Sequence, residues 1–388
     1  MNKVIYLCLT VIFLSVWNNN SNAQKKSFVD VAGLNPAIKP GDDFFRFVNG
    51  RWYDTVKIAG DQSGVGSYSF LNIPQKRLLQ NILDSISKTK NLVGSIEQKV
   101  GDFYASGMDT ATIGQRGYTP VKPILARIDA ISNIASLMKF LATEFRSGNR
   151  SIISFGISPD DKNSGINIAH VYQAGIGLPE REYYFKTDSS TLRIQQAYKN
   201  YIRTLLQLTG SNPGTASKNA DIAYSIEKQL AASHKTNVEL RDVGANYHKT
   251  AVTAITGTQP NIGWTTLLAG LGAATDSVDM AQPAYYDKLN VLLKSVSIND
   301  WKIYLKVSTL ENYAESLSKP FVDASFGFSS ALSGQATQKS RRQIMTENVD
   351  SYLGQALGQL YVKRYFNENS KKRVLILVNN LLINKLCV

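Results

Sequence analysis

"SIISFGISPDDKNSGINIAHVYQAG", Ser151–Gly175, breaks the texture of the chain around it. Ser151–Asp160 is β-branched and alternating, Asp160–Gly165 has turn chemistry, and Ile166–Gly175 is a second β-like run. Two alternating runs joined by an Asp/Asn/Ser/Gly cluster predict a β-hairpin. Outward from it, apolar residues recur at three- and four-residue spacing, the helical period. Before the hairpin this predicts helices over Asp42–Val56, Arg77–Ile86, Ile96–Met108, Val121–Ile131 and Ile134–Phe145. Asp42-Asp43 supplies an acidic first turn after Pro40-Gly41. Asn133 caps the last of these helices and Gly148 follows its end. After the hairpin, Gly175–Phe185 reads as an irregular connection. Helices are then expected over Thr191–Leu208, Ala220–Ser233, Asp287–Ser297, Trp301–Leu317, Ser340–Leu357 and Gln359–Tyr365, with a short one at Asn261–Leu268. The pattern is weak between Lys235 and Gln259, and no internal repeat indicates a solenoid. The fold class is mainly α with a small β-hairpin element.

The first residues read differently. Lys3 is followed by an apolar run, Val4–Trp17, then by polar Asn18–Asn22 and the small Ala23. The run is short for a bilayer span and suits a secretory h-region, so residues 1–23 are read as a signal peptide cleaved after Ala23. An uncleaved anchor helix is the alternative. The expected location is periplasmic or secreted, with membrane contact only through the signal peptide. The two cysteines are Cys8, inside that run, and Cys387, so the exported chain has no disulfide framework. The 43 Lys and Arg against 30 Asp and Glu give a formal charge of +13. These cations are scattered, with local doublets such as Arg341-Arg342, and no nucleic-acid motif accompanies them.

A self-contained active site is not legible in the residues. A zinc site on one helix needs two imidazoles one turn apart, and His170, His234 and His248 lie far from one another in sequence. His170 falls in a predicted strand with no neighbouring carboxylate. His234 ends a helix, where the dipole favours a cation. His248 sits in a stretch resembling a helix start. Gly64-Val65-Gly66-Ser67 lacks P-loop and dinucleotide spacing and reads as a flexible turn. Asp160-Asp161 reads as a turn pair, without the cross-cleft placement of acid–base catalysis.

"PGDDFFRFVNGRWYD", Pro40–Asp54, resembles the opening motif of the neprilysin and endothelin-converting-enzyme family of zinc metallopeptidases, including its bacterial oligopeptidase branch. The resemblance continues in order through Asp102–Ile131, Pro159–Phe185, Gln282–Leu293 and Leu353–Phe366. It implies a helical two-lobed metallopeptidase shell around a cavity that admits oligopeptides, of which the matched region is the N-terminal part. It also implies zinc held on an H-E-x-x-H helix, with the motif's Glu as general base. In the family that machinery lies beyond the stretch resembling Leu353–Phe366. No residue here is therefore assigned as catalytic, cofactor-binding or metal-ligating, and no zinc is expected on this chain. Ala284-Tyr285-Tyr286 resembles a substrate-binding Asn-Ala-Tyr-Tyr segment, but Pro283 precedes it and it falls at an earlier landmark, so it is rejected. Positions where some animal members carry carboxylate-binding arginines fall near Gly64 and Asn72. Neither is Arg, which points to endopeptidase or broader oligopeptidase specificity.

The expected organisation is signal peptide 1–23, polar lead 24–39, a metallopeptidase N-terminal helical domain over 40–381, and a divergent tail over 382–388. Arg373–Leu382 reads as a helix, and the resemblance fails after it. Three functional readings follow. The chain is a truncated N-terminal portion of an exported zinc oligopeptidase, inactive alone; or a secreted helical module that binds peptides or a partner without catalysis; or one half of an enzyme whose H-E-x-x-H half is a second chain. The expected partners are oligopeptide substrates and a missing catalytic half, with no nucleic acid.

Overall fold

The computed structural model describes residues 31–149 and 151–386. The signal peptide 1–23, the first part of the polar lead, Cys8 and Cys387 lie outside the described residues. Two compact units meet in sequence between Ala59 and Gly60.

The first unit carries the helix Phe44–Thr55. Asp43 is its N-cap: Oδ1 accepts the Arg46 amide at 2.8 Å, satisfying a donor the helix itself leaves open. The Asn35 amide bonds to the Phe47 carbonyl at 2.8 Å, folding the leading segment back on the helix. Gly50 is required at that crossing, because a Cβ there would sit 2.8 Å from Asn35 Cβ. Asp43 and Gly50 of the opening motif thus have local physical reasons.

The second unit is mostly helical, with a four-stranded sheet in place of the expected lone hairpin. β1 (Ser154–Asp160) and β2 (Asn163–Tyr172) form the hairpin. β3 (Lys249–Ala251) and β4 (Ser277–Met280) extend it in the order β1-β2-β4-β3. β2 and β4 run parallel, pairing His170 with Asp279. β3 and β4 are too short for an alternating pattern to register in sequence.

One face of the sheet, with Ala169, Val171, Val278 and Met280, belongs to the largest core. The helices Ile134–Arg146, Trp264–Leu271, Pro283–Ser295 and Ile298–Tyr313 supply the rest of it, including the fully buried Trp264 and Trp301. A second core lies among Ser189–Leu208, Pro213–Ala231 and Lys319–Ser333. A third, smaller core joins Ser67–Ile86, Ile96–Met108 and Arg341–Tyr365. Gly107 lets two of these helices approach, because a Cβ there would meet the Met345 side chain at 2.1 Å.

Several boundaries differ from the sequence reading. The helix expected from Arg77 begins at Ser67 and runs through Pro74, and Gly66 of the expected flexible turn is its N-cap. Proline removes one helix hydrogen bond, and burial of Leu79, Ile82 and Leu83 anchors the helix beyond it. The two helices expected over 340–365 are one element with a break at Leu353, where φ is −128° and ψ is 25°. Helices Thr110–Arg116, Val252–Thr258 and Lys319–Ser333 have no counterpart in the sequence reading. A helix over Glu368–Leu386 contains the expected Arg373–Leu382.

Candidate functional site

A polar cleft of about 490 Å³ lies between the start of the Ser67–Ile86 helix and the start of the Arg341–Tyr365 helix. Lys76, Arg77, Lys339 and Arg342 line it, against the carboxylates Asp61 and Glu347. The acids are engaged. Glu347 receives Lys76 at 2.6 Å on one oxygen and Lys339 at 2.8 Å on the other. Burial opposes ionisation of Glu347, and the two ammonium groups outweigh it and hold its carboxyl below the usual range. Asp61 accepts the Gln343 side-chain amide at 2.7 Å. Arg342 reaches across to Asp84. The same Asp84 accepts the Tyr104 hydroxyl at 2.8 Å, and burial together with that bond pushes the Tyr104 phenol up to about 12. Arg77 is exposed on the same wall. The cleft is therefore a braced, net cationic surface suited to an anionic group.

Gly64 and Asn72, the two positions singled out in sequence, both line this cleft. Neither contributes charge; the four cations nearby do. In sequence those cations read as scattered charge, because about 260 residues separate Lys76 and Arg77 from Lys339 and Arg342. Their local traces are the doublets Lys76-Arg77 and Arg341-Arg342.

The side chains of His170 and His234 serve structure. His170 does have a carboxylate neighbour, contrary to the sequence reading: its Nδ1 lies 3.0 Å from Asp279 Oδ2, brought there by the parallel β2–β4 register. The other Asp279 oxygen accepts the His248 amide at 2.6 Å. His248 precedes β3 and does not open a helix. His234 lies beyond the end of Pro213–Ala231, and its Nε2 donates to the Ala174 carbonyl at 3.0 Å. Burial depresses its pKa to about 4, so it is neutral and is not the dipole-stabilised cation expected. Tyr285 and Tyr286 are fully buried, with hydroxyls donating to the carbonyls of Ile152 at 2.7 Å and Tyr172 at 3.0 Å. They brace the hairpin and cannot face a substrate.

Asp160 also departs from a simple turn. It is buried and accepts Lys249 at 2.9 Å, the Lys162 amide at 2.9 Å and Tyr247 at 2.8 Å. Lys249 chiefly, then the Lys162 amide, hold its carboxyl at about 2. Among the described residues, no group of three or more His, Cys, Asp or Glu side chains is placed to hold a metal ion. His170 and His234 each engage one ring nitrogen, with Asp279 and the Ala174 carbonyl, and the donor set of the described residues does not fit a zinc ion.

The sequence model of Peptidase family M13, in its N-terminal part, matches residues 40–384. The chain belongs to peptidase family M13. The match begins at Pro40, the first residue of the opening motif. Endothelin-converting enzyme 1 of Cavia porcellus is 24% identical over 358 residues, covering 87% of this chain and 46% of that protein. Endothelin-converting enzyme-like 1 of Rattus norvegicus is 24% identical over 368 residues, covering 90% and 47%. Among solved structures, the zinc metalloprotease Zmp1 of Mycobacterium tuberculosis, in complex with an inhibitor, superposes with a TM-score of 0.84 and 28% identity. That likeness covers 91% of this chain and 54% of Zmp1. PepO of Lactobacillus rhamnosis HN001 shares the fold, with a TM-score of 0.76 at 20% identity over 89% of this chain and 55% of PepO. The chain spans about half the length of the curated M13 relatives it matches. Among the described residues, no helix is long and apolar enough to cross a membrane.

Proposed function

We propose that this chain forms the N-terminal, substrate-enclosing part of an exported zinc metallopeptidase that acts on oligopeptides, and that the chain alone does not hydrolyse them. The observation that carries this reading is the M13 match over residues 40–384, together with the lack of a metal-holding group among the described residues. The organisation goes with it: signal peptide 1–23 cleaved after Ala23, delivery to the periplasm or beyond, a helical domain from residue 40 to 381, and a divergent tail. Zinc and general base belong to a catalytic half that completes the enzyme. No chemical step is assigned to the residues of this chain.

The cationic cleft of Arg77, Lys339 and their neighbours is the surface we assign to the peptide, as a receptor for its carboxylates. The test is equilibrium binding of an unstructured oligopeptide with a free C-terminal carboxylate, against its C-terminal amide. Binding of the acid should be tighter, and Arg77→Ala should weaken it about 2- to 5-fold, the scale of one exposed charge contact. Equal affinity for acid and amide, unchanged by Arg77→Ala, would remove the cleft from the proposal.

A further inference from the structure

The helices Ser67–Ile86 and Ile96–Met108 are joined by a turn that the peptidase reading does not use. Its sequence is "SKTKNLVGS", Ser87–Ser95. At its tip Leu92 is 81% exposed and Val93 86%, the highest values among the large apolar side chains of the described residues. The backbone beneath them is fixed. Asn91 Nδ2 donates to the Ile86 carbonyl at 2.7 Å and to the Thr89 carbonyl at 3.0 Å. The Ser95 amide donates to the Leu92 carbonyl at 3.1 Å. Gly94 takes a left-handed step at φ 82°, and its amide donates to Gln98 Oε1 at 2.6 Å. The turn thus holds two adjacent apolar side chains out in water. Side chains this exposed add little to a core, so folding does not account for them. Gly, Pro, Asn, Asp and Ser are the ordinary occupants of such a tip.

The charge beside the tip has one sign. Ser87–Ser95 contains two lysines and no acid. Lys88 and Lys90 are both exposed, and neither ammonium has a carboxylate partner among the described residues. The acids at the base of the turn are engaged elsewhere. Asp84 holds Arg342, Glu97 receives Lys363 at 3.0 Å, and Asp102 accepts Gln98 Nε2 at 3.1 Å. We propose that this turn is a peripheral membrane contact, in which Leu92 and Val93 enter the headgroup region of an anionic bilayer while Lys88 and Lys90 meet its phosphates.

Charge complementarity selects this occupant. An apolar tip alone would suit a groove on another protein equally well, but two unpaired ammonium groups beside it suit a surface of phosphates. The chain's formal charge of +13 draws it toward the same surface from a distance. The apolar pair and the lysines act together, because a small apolar wedge or a pair of cations alone binds a bilayer only weakly and reversibly. This contact is additional to the one expected of the signal peptide, and it does not depend on the peptidase reading.

The test is flotation of the chain from Gln24, which keeps every described residue, with vesicles of phosphatidylglycerol and phosphatidylcholine. Leu92→Ser with Val93→Ser should lower the partition coefficient about 10-fold at an unchanged melting temperature. Lys88→Gln with Lys90→Gln should lower it about 10-fold on these vesicles and leave it unchanged on phosphatidylcholine alone. Leu92→Trp should add tryptophan emission that brominated acyl chains quench, a readout that electrostatic adhesion without insertion would not give. The exposed helix Glu368–Leu386 is present in every variant, so lipid binding through it would leave the serine pair equal to the wild type. That equality, or emission from Leu92→Trp that brominated chains do not quench, would overturn the proposal. Self-association lost in the serine pair with vesicle binding retained would also overturn it, and would assign the tip to a contact between chains.

Discussion

Asn133 is legible as a cap because its chemistry is local. Its Oδ1 accepts the Ser136 amide at 2.9 Å and Ser136 Oγ accepts the Asn133 amide at 3.1 Å, a reciprocal box that needs only four residues. Asn133→Ala should cost about 1 kcal/mol, read as a shift in urea midpoint at unchanged slope; an unchanged midpoint would show the box to be dispensable. His234 misleads in sequence because its environment comes from Ala174, 60 positions away. Its folded pKa of about 4 lies below the ordinary 6.5, so the unfolded chain takes the proton first. Stability is complete above about pH 6.5 and declines as pH falls toward 4. His234→Gln retains the donor to Ala174 without titrating, so its melting temperature should fall less than the wild type's from pH 6.5 to 4. Equal falls would refute burial of a neutral imidazole.

At the scale of elements, helices with their own caps and strong apolar periodicity are legible to within a few residues. Ile96–Met108 has the limits its periodicity predicts. Lys319–Ser333 escapes the sequence reading although Pro320 stands in its first turn and Gly334, at φ 76°, ends it; punctuation without a clear apolar stripe is a weak signal. β4 escapes it because its four residues owe their conformation to pairing with β2 and β3. Close approaches are equally invisible in sequence. A Cβ on Gly177 would stand 1.9 Å from the Tyr198 hydroxyl, so this turn and the Ser189–Leu208 helix fit only through a glycine. Gly177→Ala should destabilise the chain by about 1–3 kcal/mol through forced displacement. Denaturation at wild-type midpoints would mean that Tyr198 can move aside freely.

For the whole molecule, the five ordered motifs make the family legible in the amino-acid sequence, and the family model's match spans all of them. The cationic cleft is not legible there, since its two walls come from opposite ends of the second unit's sequence. Large apolar side chains remain exposed, among them Tyr68 and Leu71 on Ser67–Ile86, and Leu375 and Ile376 on Glu368–Leu386. Exposed apolar surface of this kind drives association. The purified chain should bind an apolar-surface dye and elute above its monomer size, whereas a dye-negative, monodisperse monomer would contradict this. The proposed function has this chain build the enclosure of an M13 peptidase without its chemistry. Its most direct test is zinc content and oligopeptide cleavage measured on one purified sample after incubation with zinc. Zinc well below one per chain and no chelator-sensitive cleavage is the predicted result; one zinc per chain with chelator-sensitive cleavage would contradict the account.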